Sequence, residues 1–180
     1  EEAKKMGFPV MIKASSGGGG KGMRECFGEE DFEKDFLTAQ RESANAFSDD
    51  AMYLEKLILE PRHVEVQIMG DNFGNVVALG ERDCSIQRNH QKLVEESPSP
   101  IVSAETRKKM MEAAVKAAKS VQYTGAGTIE FIMDKSGEFY FMEMNTRIQV
   151  EHGVTELLTN TDLVMEQIRI ATGEPLSLKQ

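Results

Sequence analysis

The sequence predicts an α+β fold of two unequal lobes with mostly antiparallel sheets. Three observations carry this. "VMIK" (10–13) and "MRECF" (23–27) bracket a glycine run, giving strand, loop, strand. "RHVEVQIMG" (62–70) alternates apolar and polar residues, passes through a "DNFGN" turn and returns as "VVALGER" (76–82). "GTIEFIMD" and "EFYFMEMN" flank "DKSG" and read as a hairpin. The small lobe is expected over about residues 1–57 and the large lobe over 58–180.

The first residues, "EEAKKMGFP", have lysines, then Gly7, then Pro9, the order found at a helix C-terminus. The chain is therefore expected to start inside a larger protein, and the tail "EPLSLKQ" has no obvious closing element. A helix is predicted over about 29–46, with Glu29, Glu30 and Asp31 in its first turn. Phe32, Phe36, Ala39, Ser43 and Phe47 make one face of it. "MYLEKLI" (52–58) is the next strand. In 62–70, Val64, Val66 and Ile68 face one way and His63, Glu65 and Gln67 the other. "CSIQRNHQKLVEESPSP" (84–100) is polar and irregular, so short strands and loop are expected. Ser103 caps a helix to about residue 121 whose buried stripe is Met111, Ala114, Val115 and Ala118. A last helix runs from about Asp162 to Thr172, stopped by Gly173 and Pro175.

The 180 residues are 40% hydrophobic and 28% charged, which suits a globular protein. The formal net charge of −9 argues against a nucleic-acid binder, while leaving room for a local basic pocket. No apolar run approaches the roughly 18 residues of a membrane span, and no signal peptide is visible. Cys26 and Cys84 have no metal-site or CxxC spacing and are expected to be reduced thiols.

"KASSGGGGKGMRECF" (13–27) gives up backbone order where a chain would lie close to a ligand and present its N–H groups. The P-loop pattern fails, because Ser15 and Gly22 stand where it needs glycine and Ser or Thr. Gly17, Gly19 and Gly22 satisfy G-x-G-x-x-G, but the next segment reads as a strand, not the helix a dinucleotide fold needs. A glycine flap closing over the triphosphate of ATP fits the order of elements best, with Lys13 on phosphate oxygens. The other reading is a surface hairpin with solvated lysines.

In the hairpin, a four-residue turn would pair Met133 with Glu138 and Glu130 with Phe141. Phe139, Glu143 and Asn145 would share the face of Glu130, with Glu143 a diagonal neighbour of Glu130 at about 7–8 Å between Cβ atoms. Two carboxylates and an amide suit Mg²⁺, which binds few protein oxygens. The alternative is a charge pair on a solvated face. If "NTRIQVEH" stays extended, Asn145, Arg147, Gln149 and Glu151 point one way. Such a row supplies a cation, an amide and a possible base, or a structural salt bridge. Arg82, Arg88, His90 and Lys92 cluster in an acidic protein, as an anionic substrate requires or as a solvated loop permits.

Taken together, "VMIKASSGGGGKGMR", "EKLILEPRHVEVQ", "ERDCSIQRNHQK", "GAGTIEF" and "FYFMEMNTRIQVEH", in that order, resemble the biotin carboxylase members of the ATP-grasp superfamily. The resemblance implies an ATP-grasp fold, here the central portion of a biotin-dependent carboxylase, with ATP between the lobes. It implies carboxylation of carrier-borne biotin by ATP and bicarbonate through carboxyphosphate, with Mg²⁺ or Mn²⁺. Lys13, Gly19 and Gly20 would then contact phosphate; Glu55, Lys56, Leu57 and Ile58 would hold adenine. His63 and His90 would line the nucleotide pocket. Glu130, Glu143 and Asn145 would bind the metal, Glu130 also counting as an ATP contact. Lys92, Arg147, Gln149 and the Val150 backbone would hold bicarbonate. Glu151 would be its base, and Arg147 would stabilise the biotin enolate.

Implied partners are a biotin carboxyl carrier protein or domain, a carboxyltransferase component and further copies of the parent chain, in the cytoplasm or the mitochondrial matrix. Neither nucleic acid nor membrane is expected. Gly153 departs from the proline of the "EHPVTE" found in many relatives. The family's segments before and after the grasp fold are absent from these residues, so the piece is expected to be incomplete for catalysis. The alternatives are an ATP-grasp ligase of carbamoyl-phosphate or amino-acid type, and a nucleotide-binding module without turnover.

Overall fold

The structure is a computed structural model and describes residues 1–17, 22–89 and 91–179. It divides into two compact units, Glu1–Leu59 and Glu60–Gln180.

In the first unit, α1 (Glu2–Met6) leads into a three-stranded antiparallel sheet of order β2-β1-β3, built from β1 (Val10–Ala14), β2 (Met23–Cys26) and β3 (Met52–Lys56). The helix α2 (Glu29–Phe47) packs on β1 and β2. Its acidic first turn meets the positive end of the helix dipole. Val10, Ile12, Cys26 and Ala39 form the buried centre, flanked by Phe8, Phe32 and Phe36. The rings of Phe8 and Phe32 meet edge-on at 6.1 Å.

The second unit is a five-stranded antiparallel sheet of order β6-β5-β4-β7-β8. Its strands are β4 (Arg62–Gly70), β5 (Val76–Arg88), β6 (Gln91–Glu96), β7 (Gly125–Met133) and β8 (Phe139–Asn145). The stretch 84–96, expected to be irregular, instead completes a long β5 and a paired β6. Helix α3 (Ala104–Ser120) starts at Ser103, whose hydroxyl accepts from Thr106 N–H. α3 covers the sheet face formed by Val64, Val66, Ile68, Ile129 and Phe131. Each such fully buried side chain contributes about 1.5–3 kcal/mol. The inward stripe of α3 is Met110, Ala114 and Ala118, one residue away from the predicted Met111 at its start; Met111 and Val115 are only partly buried.

The opposite face is split. Met69, Val77, Leu79 and Ala126 pack under Leu163 and Ile170 of α5 (Leu163–Ala171). Beside them the same face is polar, carrying His63, Glu65 and Gln67 of β4, Arg82 of β5, and Thr128 and Glu130 of β7. A short helix that the sequence did not announce, α4 (His152–Thr159), precedes α5. "NTRIQVEH" therefore does not continue the strand: β8 ends at Asn145, and the chain turns into α4 at Glu151.

The hairpin register also differs from the expectation. Met133 pairs with Phe139 and Phe131 with Phe141, and then the register shifts by one, so that Glu130 pairs with Glu143 and Thr128 with Asn145. Met142 is the extra residue of this bulge. Glu143 is thus directly opposite Glu130 and not diagonal to it. Phe139 and Phe141 belong with Met133 and Phe131 on the other face.

The β4–β5 turn is tied to the C-terminal tail by Asp71. Its carboxylate accepts from Phe73 N (2.8 Å), Asn75 N (2.9 Å), Asn75 Nδ2 (2.8 Å) and Leu176 N (3.0 Å). Burial alone would raise this carboxyl, but the side-chain and backbone donors hold it down to about 2. Against an unfolded value of ~3.9, the stabilisation is complete above about pH 4 and lost as pH falls through the folded value. Asp71→Asn, which sets an amide donor against those donors, is expected to cost about 1–2 kcal/mol at neutral pH. It should also flatten the stability loss between about pH 4 and 2. Thermal unfolding of both forms across that range checks this; parallel profiles would refute it.

Candidate functional site

The polar half of the second unit's sheet gathers charge from five strands and one turn. Glu143, Glu130, Glu65 and Arg82 lie in one cross-strand row over β8, β7, β4 and β5, since each is the register partner of the next. Residues paired in this way share a face. Lys92 on β6 reaches over the row. Its ammonium lies 2.5 Å from Glu65 Oε2, 2.8 Å from Glu130 Oε1 and 2.7 Å from Glu151 Oε1. Burial alone would lower its pKa, but Glu65, Glu130 and Glu151 outweigh that and hold it well above the usual lysine value. Lys92 is therefore a fixed cation.

Glu130 is the hub of the cluster. Its Oε1 also accepts from Asn145 Nδ2 and Gln149 Nε2, both at 2.9 Å. Its Oε2 accepts from His63 Nε2 at 2.8 Å. On the far side of that ring, Gln87 Nε2 donates to His63 Nδ1 at 2.8 Å, which leaves the His63 proton on Nε2. Burial opposes ionisation of Glu130, but His63 and Lys92 keep its pKa far below the ordinary range. Glu151 is also held low: its burial is outweighed by the Lys92 hydrogen bond. It stands at the N-cap position of α4 without capping the helix, because its carboxylate turns to Lys92. His152 secures the turn before it, donating from Nδ1 to the Gln149 carbonyl at 2.8 Å.

Of the residues singled out in the sequence, His63, Lys92, Glu130, Asn145, Gln149 and Glu151 are thus joined directly. Glu143 is exposed and engaged by no hydrogen bond or ion pair among the described residues. Arg147 is exposed and, among the described residues, makes only long contacts, to Ile148 O at 3.3 Å and Asn145 Oδ1 at 3.4 Å. Val150 is 96% exposed. In the first unit, Lys13 Nζ pairs with Glu55 Oε2 at 3.0 Å and lies 5.7 Å from the Tyr53 ring centroid. Burial lowers the Lys13 pKa, and Glu55 more than restores it. Lys56 donates to the carbonyls of Gly7 and Phe8, Leu57 N–H to Pro9 O, and Ile58 is half-buried beyond β3. Gly19, Gly20 and His90 lie outside the described residues. Gly153 occupies open space: a Cβ there would meet nothing within 4 Å.

The sequence reading passed over Glu65, Gln87 and Thr155. Glu65 and Arg82 are both fully buried and paired at 2.7 Å. The one available signal was a glutamate inside a long alternating strand that proves central. Cys84 is also buried among these groups; burial, then Glu65, pushes its thiol far up, so it is no nucleophile.

Among the described residues, two groups of ligand atoms lie close enough together to share a cation. Oxygen and nitrogen atoms of His63, Glu65 and Glu130 lie within 4.8 Å of one another, as do ligand atoms of Glu65, Cys84 and Glu151. Lys92 already supplies the positive charge that Glu65, Glu130 and Glu151 require. The uncompensated carboxylate is Glu143, across from Glu130 and two residues before Asn145. An all-oxygen set of that kind suits a hard divalent ion.

Known proteins share this fold. The family model described as "Carbamoyl-phosphate synthase L chain, ATP binding domain" matches residues 1–179. A biotin carboxylase of Nostoc sp. is 62% identical over the whole chain, which spans 40% of that relative. The mitochondrial methylcrotonoyl-CoA carboxylase subunit alpha of Mus musculus is 59% identical over the whole chain, which spans 25% of it. A solved biotin carboxylase domain of Hydrogenobacter thermophilus 2-oxoglutarate carboxylase, a dimer in complex with MgADP, ADP and bicarbonate, superposes with a TM-score of 0.90 at 52% identity. That match covers 99% of this chain and 40% of the other. The α+β architecture with antiparallel sheets is that of the biotin carboxylase ATP-grasp structures. The chain belongs to the carbamoyl-phosphate synthase L chain ATP-binding domain family, and its relatives within that family include biotin carboxylases.

Proposed function

We propose that this chain is the ATP-grasp part of a ligase that carboxylates carrier-borne biotin, using ATP and bicarbonate. The observation that carries the reading is the Lys92 ammonium fixed among Glu65, Glu130 and Glu151, with Gln149 hydrogen-bonded to Glu130 beside it. A cation and an amide donor next to an ionised carboxylate are what a small oxyanion carrying one removable proton needs.

Lys92, Arg147, Gln149 and the exposed Val150 backbone hold bicarbonate in this reading. Arg147 is suited to the work because, among the described residues, its guanidinium has only two long contacts to give up. Glu151 takes the bicarbonate proton; the Lys92 charge keeps it ionised and so ready to accept one. The resulting anion attacks the γ-phosphorus of ATP, ADP leaves with the β–γ bridging oxygen, and carboxyphosphate forms. Its carboxyl C–O bond then breaks to give CO₂ and inorganic phosphate, the phosphate takes the ureido N–H proton, and the ureido nitrogen adds to CO₂. Arg147 stabilises the biotin enolate. Lys13 and the glycines Gly19 and Gly20 serve the phosphates, and Glu55 to Ile58 serve adenine. His63 and His90 line the nucleotide pocket.

Glu130, Glu143 and Asn145 would hold Mg²⁺ or Mn²⁺, which supplies charge neutralisation at the nucleotide phosphates. The uncompensated Glu143 carboxylate opposite Glu130 supports that assignment. The unit Glu1–Leu59 is the small lobe and Glu60–Gln180 the large one in this reading. Partners are a biotin carboxyl carrier protein or domain, a carboxyltransferase component and further copies of the parent chain. No described helix is long and apolar enough to cross a membrane. We place the parent in the cytoplasm or the mitochondrial matrix.

The test uses the full-length parent. ATP cleavage is expected to require bicarbonate, to rise with free biotin, and to stop when EDTA removes the divalent ion. ATP binding with no bicarbonate-dependent cleavage would overturn the proposal in favour of a non-catalytic nucleotide-binding module.

A further inference from the structure

Arg82 contacts neither the open carboxylate Glu143 nor Lys92, and it is fully buried. Yet all five of its N–H donors are used, on side chains from four different parts of the chain. Nε donates to Glu65 Oε1 at 2.7 Å. Nη1 donates to Gln67 Oε1 at 2.7 Å and to Thr155 Oγ1 at 2.8 Å. Nη2 donates to Thr128 Oγ1 at 3.4 Å and to Gln149 Oε1 at 3.3 Å.

We infer that Arg82 is a positioning residue for the anion subsite, one that holds the Gln149 carboxamide with its carbonyl turned inward so that the amide offers N–H donors to bicarbonate. This rests on the function proposed above. A carboxamide has an acceptor edge and a donor edge, and rotation by half a turn exchanges them. With Gln149 Oε1 on the guanidinium and one Nε2 hydrogen on Glu130 Oε1 at 2.9 Å, the second Nε2 hydrogen is left for a ligand. In the flipped state the amide would turn a lone pair toward the anion, and a nitrogen donor would face the guanidinium. Arg82 forbids that state because it has no acceptor to offer.

The guanidinium plane is itself held at two ends. Glu65 and Gln67 fix it from β4, and Thr155 fixes it from α4. Thr155 lies four residues after Glu151, so one side of α4 carries both the carboxylate that meets Lys92 and the hydroxyl that meets Arg82. The same guanidinium that orients Gln149 through Nη2 thus ties the helix behind Glu151 to the sheet through Nη1. Gln67 is satisfied independently, since its Nε2 donates to Gly127 O at 2.9 Å, and so it presents only its carbonyl to Arg82.

The test is steady-state kinetics on the full-length parent, measuring ADP release against bicarbonate and against ATP separately. Thr155→Val keeps the shape and removes the hydroxyl. It is expected to raise KM for bicarbonate about five- to tenfold, the equivalent of one lost hydrogen bond, with KM for ATP unchanged. Thr155→Ser restores the hydroxyl and should restore the bicarbonate KM. Arg82→Lys keeps the charge but cannot fork to Gln149, and should raise the bicarbonate KM by about thirtyfold or more.

If Arg82→Lys fails to fold, the Val and Ser pair at 155 decides alone. Equal rises in both KM values, or an unchanged bicarbonate KM in Thr155→Val, would overturn the inference while leaving the proposed function standing. A wild-type parent without bicarbonate-dependent cleavage would instead overturn the function and, with it, this role for Arg82.

Discussion

Glu151→Gln in the full-length parent is expected to cut bicarbonate-dependent ATP cleavage by about 10²- to 10⁴-fold, the range for loss of a positioned base. The substitution is isosteric. Its carbonyl oxygen can still accept from Lys92, so the contact now at 2.7 Å has a replacement. What disappears is the capacity to take a proton. Because the carboxylate caps nothing on α4, its replacement leaves the helix start unchanged. KM for ATP is therefore expected to stay within about twofold and the melting temperature to stay put, so that the loss falls on kcat. ADP release at saturating bicarbonate measures it. Retained activity within about threefold would remove Glu151 from the role of base.

The largest loss of stability is expected at Glu65, which the sequence reading gave no role. Glu65 and Arg82 are both 0% exposed, and Glu65 holds Lys92 with its second oxygen. Glu65→Ala leaves a buried guanidinium without the carboxylate it pairs with and takes one of the three described carboxylates from Lys92. Removing one partner of a buried pair costs about 3–5 kcal/mol. In a unit of this size that lowers the melting temperature by on the order of 10 °C. Differential scanning calorimetry of the full-length parent reads it directly. Glu105→Ala is the control: its i,i+4 partner Lys109 lies on the solvated side of α3, and no measurable shift is expected. A Glu65 variant that melts with the wild type would mean that the buried network is not what fixes this sheet.

How much of this could be read from the residues depends on whether the deciding contacts were local. The strands flanking the glycine run, the β4–β5 pair and the β7–β8 hairpin were legible, because period-two alternation and turn residues lie within a few positions of each other. The Lys92 cluster was only half legible. His63, Lys92, Glu130 and Glu151 were singled out from motifs, but that one ammonium joins three carboxylates depends on β6, β4, β7 and α4 converging from distant parts of the chain. Glu65 looked like the solvent side of an alternating strand. Only the strand order, which buries β4 in the middle of five strands, turns that side into an interior.

Helix α4 was missed for a local reason. It has eight residues, a glycine in its first turn and a cap residue whose side chain points elsewhere, so its start signal is weak. The hairpin reading reached the right face by two offsetting displacements. Pairing Met133 with Phe139 moves the ladder by one relative to the expected Met133–Glu138 pairing, and the bulge moves it by one more. Two steps restore parity, so Glu143 and Asn145 end on the side of Glu130, although Phe139 and Phe141 do not.

Met142 sets the reading frame for everything that follows it in the chain. In an unbroken ladder Glu143 would stand opposite Ile129, whose neighbours pack beneath α3, and Met144 opposite Thr128. Side-chain changes at 142 are therefore tolerable, and loss of Met142 itself would only straighten the ladder with Glu143 still opposite Glu130. One codon gained between Phe141 and Glu143, with a single bulge kept, would drive an acid into hydrocarbon and hand a thioether to the anion site, with every other residue intact.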